Sequence, residues 1–313
     1  MTKRIVFMGS PDFALPTLQA LADHYRVAGV VTQPDRPAGR GRRLTPPAVK
    51  SLAEALGLRV IQPKSLKDQT ALATIEGWRP DLIVVTAFGQ ILRAEVLDLP
   101  PFGSLNVHAS LLPRWRGAAP IQAAIMHGDQ YSGVTIMKMD EGIDTGPLLS
   151  QRKVPLAPNE TAGSLSERLA QLGADLLIET LPEYFSGELQ PHHQEGEHTY
   201  ARMLKKHDGE LDFSQNAEAL ERKIRAFDPW PGTFMNWQNK RLNILKAKAA
   251  AIYRTLDGSE GQPGQRTVHK EHPAVFTGEG LLVLIEIQPA GKKAMEGPMF
   301  LRGARNWSEG IDG

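Results

Sequence analysis

Short apolar runs alternate with amphipathic stretches through the first part of the chain. Residues 3–9 carry an apolar run closed by Gly9 and read as a buried strand. Phe13, Leu15, Leu18 and Leu21 then recur at helical spacing, which predicts a helix over 12–24. A second strand is expected over 26–31, and a helix over 51–58 with Leu52, Ala55 and Leu56 inward. Residues 81–87 form the cleanest strand, and their near-continuous apolar run suits a strand covered on both faces. Leu165, Leu169, Leu172, Leu176, Leu177 and Leu181 place a helix over 162–184. Strands alternating with helices predict an α/β fold with a doubly wound, parallel sheet. Ligands of such sheets sit beyond the carboxyl ends of the strands, at the switch point. That rule nominates residues 87–90 and 106–108.

Residues 186–196 are polar and without period, and read as a connection. The pattern changes from about residue 210 onward. One helix is expected over 216–227. Short alternating runs at 233–237, 242–247, 274–276 and 281–287 follow, separated by turn residues as in a small β-barrel. The expected organisation is a first domain over 1–188, a linker over 189–208 and a C-terminal domain over 209–313.

Composition excludes several classes. Hydrophobic residues make up 41% and charged residues 23%, as in an ordinary globular protein. No apolar run approaches the roughly 20 residues that span a bilayer. The apolar piece after Lys3-Arg4 is too short for a signal-peptide core, so the expected location is the cytoplasm. The absence of cysteine removes disulfides, thiolate metal sites and cysteine nucleophiles. A net charge of +1 gives no global basic field, so any nucleic-acid contact must come from local clustering.

The candidate chemistry lies in two motifs. Asn106 and His108 are two residues apart, so an extended segment projects both from one face. Asp144 lies in Asp140-Glu141-Gly142-Ile143-Asp144-Thr145-Gly146 and can join them only through the fold. An amide can hold a developing oxyanion, an imidazole can carry a proton, and a carboxylate can fix the charge state of both. Together they suit transfer of an acyl group to an amine. The bland alternatives are a satisfied strand-end pair for Asn106 and His108, and a cap or turn for Asp144. The acidic heptapeptide does not meet EF-hand spacing. The first strand-to-helix turn, Gly9-Ser10-Pro11-Asp12-Phe13-Ala14, lacks the further glycines that let backbone approach a pyrophosphate. No Walker-type loop is present, and His192 and His193 form only a weak metal-like pair.

Residues 33–47 form a connection longer than most, carrying Arg36, Arg40, Arg42 and Arg43 against Asp35. It is either a solvated loop or an arm that grips phosphates and orders on a nucleic acid. Exposed-looking lysines and arginines further on, Lys206 among them, could extend the track. The Asp228-Pro229-Trp230-Pro231-Gly232 corner reads as packing between helix and barrel.

Residues 106–121 and 139–146 resemble the hallmark segments of 10-formyltetrahydrofolate-dependent formyltransferases. The likeness runs nearly end to end. It includes the Phe7-Met8-Gly9-Ser10-Pro11-Asp12-Phe13-Ala14 opening, the arginine loop, the Pro229-Trp230-Pro231 corner and Gln288-Pro289-Ala290-Gly291. The resemblance implies a Rossmann-like, doubly wound, mostly parallel sheet followed by a smaller OB-like C-terminal β-barrel. It implies 10-formyltetrahydrofolate as formyl donor, and no metal. Asn106, His108 and Asp144 match the catalytic trio. Ser110, Leu111, Leu112 and Pro113 match the folate-binding stretch, and Phe88, Gly89 and Leu92 the pterin pocket. The arginine loop and C-terminal domain point to the α-amino group of methionyl initiator tRNA as acceptor. Arg36, Arg40, Arg42, Arg43 and Lys206 are the expected tRNA contacts, with Arg42 on the acceptor stem. A monomer is implied. The competing acceptor is a small amine, such as a nucleotide-sugar or purine precursor. A non-catalytic RNA-binding module would leave the trio unexplained.

Overall fold

In the computed structural model, which describes residues 3–38, 43–254 and 258–308, strand β1 (Arg4–Gly9) is fully buried from Ile5 to Met8. Along the chain follow α1 (Leu15–His24), β2 (Arg26–Val31), the short pair β3 (Arg36–Ala38) and β4 (Arg43–Thr45), α2 (Ala48–Ala55) and β5 (Val60–Ile61). Next come α3 (Gln69–Gly77), β6 (Leu82–Thr86), α4 (Ala94–Leu97), β7 (Ser104–His108), β8 (Arg116–Gly117) and α5 (Pro120–His127). Strands β9 (Tyr131–Lys138) and β10 (Leu148–Pro155), helix α6 (Ala162–Ser186) and β11 (Tyr200–Ala201) complete this part.

Seven of these strands form one sheet in the order β10-β9-β7-β6-β1-β2-β5. The five strands from β5 to β7 run parallel, and β9 and β10 are antiparallel. Numbered along the chain, the parallel strands read 3-2-1-4-5, the Rossmann-like order, and the sense of winding reverses between β1 and β6. Strands at that reversal are covered on both faces, which explains their unbroken apolar sequences. β10, at the sheet margin, instead alternates half-buried and exposed positions after Leu149 and carries Arg152 and Lys153, which discourage edge pairing. Helix α6 lies close on β7 because Gly173 has no side chain there. A Cβ at Gly173 would stand 2.6 Å from Val107 Cγ1.

Two expected helices differ in extent. α2 begins earlier than position 51, because extended Pro47 caps its start. The shift turns Val49 and Ala53 inward and leaves Ala55 exposed. α6 runs on to Ser186, carried by Tyr184, whose hydroxyl donates to Phe102 O at 2.6 Å.

The chain divides into two compact units. The first comprises Met1–Pro120, Tyr131–Pro155 and Ser166–Ala201; the second comprises Ile121–Gln130, Leu156–Leu165 and Arg202–Gly313. The second unit contains α7 (Ala217–Ala226), β12 (Thr233–Trp237), β13 (Lys240–Ala250), β14 (Arg266–His269), β15 (His272–Phe276), β16 (Leu281–Pro289), β17 (Met295–Glu296) and α8 (Gly297–Gly303). Its antiparallel sheet runs β12-β13-β16-β15-β14, with β17 on β16. Register shifts near Lys246 mark bulges in the long β13, which bend a strand and raise its twist. Asn216 caps α7 by accepting from Ala219 N at 2.7 Å. The core of this unit gathers Leu220, Ile224, Leu242, Ile244, Leu284, Phe300 and Trp307. The proline-rich corner departs from its expected role. Pro229 lies against Gly163, but the Trp230 ring is half exposed rather than packed.

Trp307 is fully buried beside Trp237 and Phe300, with ring centroids 6.0 and 5.6 Å away, and its Nε1 donates to Thr267 O. Removing an aromatic ring of this kind from a core costs about 3–5 kcal/mol. Trp307→Ala is therefore expected to lower the denaturant midpoint of the C-terminal unit, with the slope unchanged, when followed by fluorescence of the remaining tryptophans.

Candidate active site

β7 ends at His108, and the alternation of the strand places Asn106 and His108 on one face. The turn carrying Asp144 is brought against that face. Asp144 Oδ1 accepts from Asn106 Nδ2 at 3.3 Å, and Oδ2 accepts from Gly117 N at 2.8 Å. His108 Nδ1 stands 3.6 Å from Oδ2, longer than a formed hydrogen bond. On the opposite side of the ring, His108 Nε2 lies 3.1 Å from the Trp115 carbonyl. A carbonyl only accepts, so Nε2 carries the hydrogen and the Nδ1 edge faces the carboxylate. The imidazole is 6% exposed and the carboxylate 15%, so both work largely out of bulk water. The fold thus brings Asn106, His108 and Asp144 together.

The Asp144 turn is shaped by its neighbours. Asp140 Oδ1 accepts from Gly142 N at 3.1 Å and from the Thr145 hydroxyl at 2.7 Å. Asp140 is thereby the turn anchor, and Asp144 is presented with a left-handed backbone, φ 53°. Gly146 has no side chain because the Lys138 carbonyl occupies that space.

The Ser110–Pro113 stretch is held by Thr135 of β9. The Thr135 hydroxyl donates to Ser110 O at 2.6 Å and accepts from Leu112 N at 3.2 Å and Gln151 Nε2 at 2.9 Å. Gln151 also donates to Leu112 O at 2.8 Å. Ser110 is buried and its hydroxyl donates to Arg114 O, Leu112 is buried, and Leu111 lies over Gly133. Thr135 and Gln151 escaped the sequence reading because lone polar residues in strands carry no signature.

Phe88, Gly89 and Leu92 sit beyond β6, next to the sheet's reversal point. Phe88 and Leu92 are core residues at 2% and 4% exposure, whereas Gly89 is exposed. The Phe88 carbonyl accepts from Gln33 Nε2 at 3.1 Å and Ser10 Oγ at 3.4 Å, which ties together the ends of β1, β2 and β6.

Of the cationic residues, Arg36 lies exposed on β3 and donates to Gln33 Oε1 at 3.0 Å. Arg43 stands in β4, while Arg40 and Arg42 lie outside the described residues. Asp35 accepts from Gln62 and Lys50, which hold its carboxyl below the usual range. In the second unit Lys206 is exposed on a short turn. There Arg202 pairs with both oxygens of Asp208, at 2.7 and 2.8 Å, and holds that carboxyl well below its usual range.

An amide, an imidazole and a carboxylate at the carboxyl edge of a Rossmann-like sheet can serve group transfer, by donating to an oxygen that gains charge and by relaying a proton. The comparisons define the class further. The formyl transferase family model matches residues 3–181, and the model for the C-terminal domain of formyl transferases matches residues 203–305. The chain belongs to the formyl transferase family. It is 48% identical over 312 residues to the methionyl-tRNA formyltransferase of Halorhodospira halophila, covering 97% of each chain. It is 46% identical over 307 residues to that of Chloroflexus aurantiacus, covering 96% of each. Among solved structures, the N-formyltransferase of Helicobacter canadensis in complex with folinic acid and dTDP-3-aminofucose shares the fold. Its TM-score is 0.62 at 16% identity, over 91% of this chain and 99% of that one. Formyl transfer, a one-carbon transferase activity, is the chemistry of this family.

Thr135→Val keeps the shape of the side chain but strands the Leu112 amide and the Ser110 carbonyl without their partner. Orphaning buried polar groups costs about 1–3 kcal/mol each. The variant is expected to melt at lower temperature, as read by calorimetry.

Proposed function

We propose that this protein transfers the formyl group of 10-formyltetrahydrofolate to the α-amino group of methionyl initiator tRNA. The observation that carries the reading is the Asp144 carboxylate, which faces Asn106 and His108 at once. The acceptor is supported by relatives about half identical over their whole length that bear the name methionyl-tRNA formyltransferase. The donor site is supported by the Helicobacter canadensis structure, which holds folinic acid on the same fold. No helix among the described residues is long and apolar enough to cross a membrane. The enzyme acts as a monomer in the cytoplasm, where charged tRNA is used.

The neutral amine attacks the formyl carbon and the carbonyl oxygen becomes an oxyanion. Asn106 donates one amide N–H to Asp144 and turns the other to the oxyanion. His108, as an imidazolium beside the Asp144 carboxylate and anchored through Nε2 on the Trp115 carbonyl, offers Nδ1–H to the same oxygen. Asp144 accepts the proton that the attacking amine loses. The Nδ1 proton goes to N10 of the donor as the C–N bond breaks, and N10 leaves neutral. The proton on Asp144 then returns to His108 once Nδ1 and Oδ2, 3.6 Å apart at rest, close to hydrogen-bond distance, and the pair is reset. No covalent enzyme intermediate is formed.

Ser110, Leu111, Leu112 and Pro113, with Phe88, Gly89 and Leu92, form the folate site. The buried Phe88 and Leu92 shape it as core residues, and the exposed Gly89 presents backbone. The C-terminal part of the second unit, from about residue 209, serves as the tRNA-binding domain, joined by a connection over 189–208. Arg36, Arg40, Arg42, Arg43 and Lys206 contact tRNA phosphates, with Arg42 at the acceptor stem.

The reading is tested by formyl transfer from 10-formyltetrahydrofolate to methionyl initiator tRNA, with uncharged tRNA and free methionine as controls. Transfer that requires the charged tRNA supports it; donor consumption with a nucleotide-linked amino sugar instead would move the acceptor to small amines. Loss of one oxyanion donor costs roughly 10²–10³ in rate. Asn106→Ala is expected to lower kcat by that order while folate affinity stays within a few-fold, and a large rise in folate Kd at unchanged single-turnover rate would contradict its role. Arg42→Ala is expected to reduce the salt slope of tRNA binding by about one; an unchanged slope would remove Arg42 from the interface.

A further inference from the structure

Gln194 lies between the two family-model matches, which end at 181 and resume at 203, in a stretch that reads from sequence as a plain linker. Its side chain is nevertheless built into the site. Gln194 Nε2 donates to the carbonyls of Asp144 and Gly146, both at 2.8 Å. Its Oε1 accepts from Arg116 Nε at 3.1 Å and Nη2 at 2.8 Å. A guanidinium can only donate and a carbonyl can only accept, so every contact agrees on which way the amide faces.

One amide therefore grips the main chain at and just after Asp144. That grip matters because Asp144 adopts φ 53°, a conformation that side-chain-bearing residues disfavour. Fixing the Asp144 carbonyl fixes the peptide plane and hence the direction of its Cα–Cβ bond. The carboxylate is then aimed at Gly117 N, Asn106 Nδ2 and His108 Nδ1. The same connection steadies the other side of the trio. β11 pairs with β8 in parallel, Thr199 O accepts from Arg116 N, and Thr199 Oγ1 accepts from Trp115 N, both at 2.9 Å. Trp115 in turn supplies the carbonyl that holds His108 Nε2. Residues 192–201 thus determine both the carboxylate and the carbonyl between which the imidazole is set.

We propose that Gln194 is a positioning residue for formyl transfer, acting through Asp144 by clamping the left-handed turn that presents the carboxylate. The proposal rests on the reading of Asp144 as the proton acceptor. Gln194 touches no reacting atom, so its removal should spare substrate binding and slow the chemical step. Misplacing a reacting group by about 1 Å can cost on the order of 100-fold.

The test compares Gln194→Ala, Gln194→Glu and the exposed neighbour variant His193→Ala in the full-length protein. Gln194→Glu can still face Arg116 but has no N–H for the Asp144 and Gly146 carbonyls. Both Gln194 variants are expected to lower kcat about 10- to 100-fold, with KM for donor and for charged tRNA moving less than about threefold. His193→Ala should match wild type. In an Asp144→Asn background, Gln194→Ala should add no more than about twofold, because the residue it positions is already disabled. Independently of any substrate, the Gly117 amide, which donates to the Asp144 carboxylate, should exchange with deuterium at least about tenfold faster in Gln194→Ala. A fully active Gln194→Glu, losses that multiply in the Asp144→Asn background, or unchanged Gly117 exchange would overturn the proposal. If wild type fails to formylate charged tRNA, the acceptor reading falls, and the exchange measurement still decides whether Gln194 holds Asp144.

Discussion

The site depends on a carboxylate held in an unfavourable backbone conformation. Asp144 sits at φ 53°, a left-handed conformation that glycine adopts freely and Asp at a modest cost, and the surrounding contacts hold it there. Asp140 closes the turn from within, Gly146 gives way to the Lys138 carbonyl, and Gln194 grips two carbonyls from outside. In return the carboxylate meets a backbone N–H, an amide and an imidazole from two other segments. Preorganisation of this kind makes charge stabilisation effective, because no groups need reorient as charge develops.

The sheet explains why these segments meet where they do. β7 is the last parallel strand, and its carboxyl end lies one strand from the β1–β6 reversal that leaves a crevice in doubly wound sheets. Past β7 the pattern turns antiparallel, and β9 and β10 enclose the Asp144 turn between them. β9 runs back along β7 and pairs Lys138 with Leu105 near the amino end of β7, and the loop that follows folds Asp144 over the face that carries Asn106 and His108. Thr135 on β9 then links the two motifs physically, since its hydroxyl holds the Ser110–Pro113 stretch that follows His108.

Much of this was legible in the sequence, for identifiable reasons. Strands buried on both faces announce themselves as apolar runs, so β1 and β6 were found almost to the residue. The pairing of Asn106 with His108 followed from strand alternation alone. α2 was misplaced because its apolar residues fit two helical registers, and only Pro47 decides between them. Gln194, Thr199 and Thr135 were invisible because each acts through one long-range hydrogen bond network, and such networks leave no period or motif. The connection over 186–196 looked featureless for the same reason: its order comes from the backbone and side chains it meets, not from its own composition. Trp307 was obscured by polar neighbours near the chain end, although it fills the core of the second unit.

As proposed, Asp144 takes part in the chemical step and not in donor binding. The most direct measurement is the single-turnover rate of formylation of methionyl initiator tRNA at saturating 10-formyltetrahydrofolate, for wild type and Asp144→Asn. A fall of at least about 100-fold is expected, with the donor dissociation constant nearly unchanged. A variant that transfers formyl at close to the wild-type rate, or that loses activity only by failing to bind the donor, would contradict it.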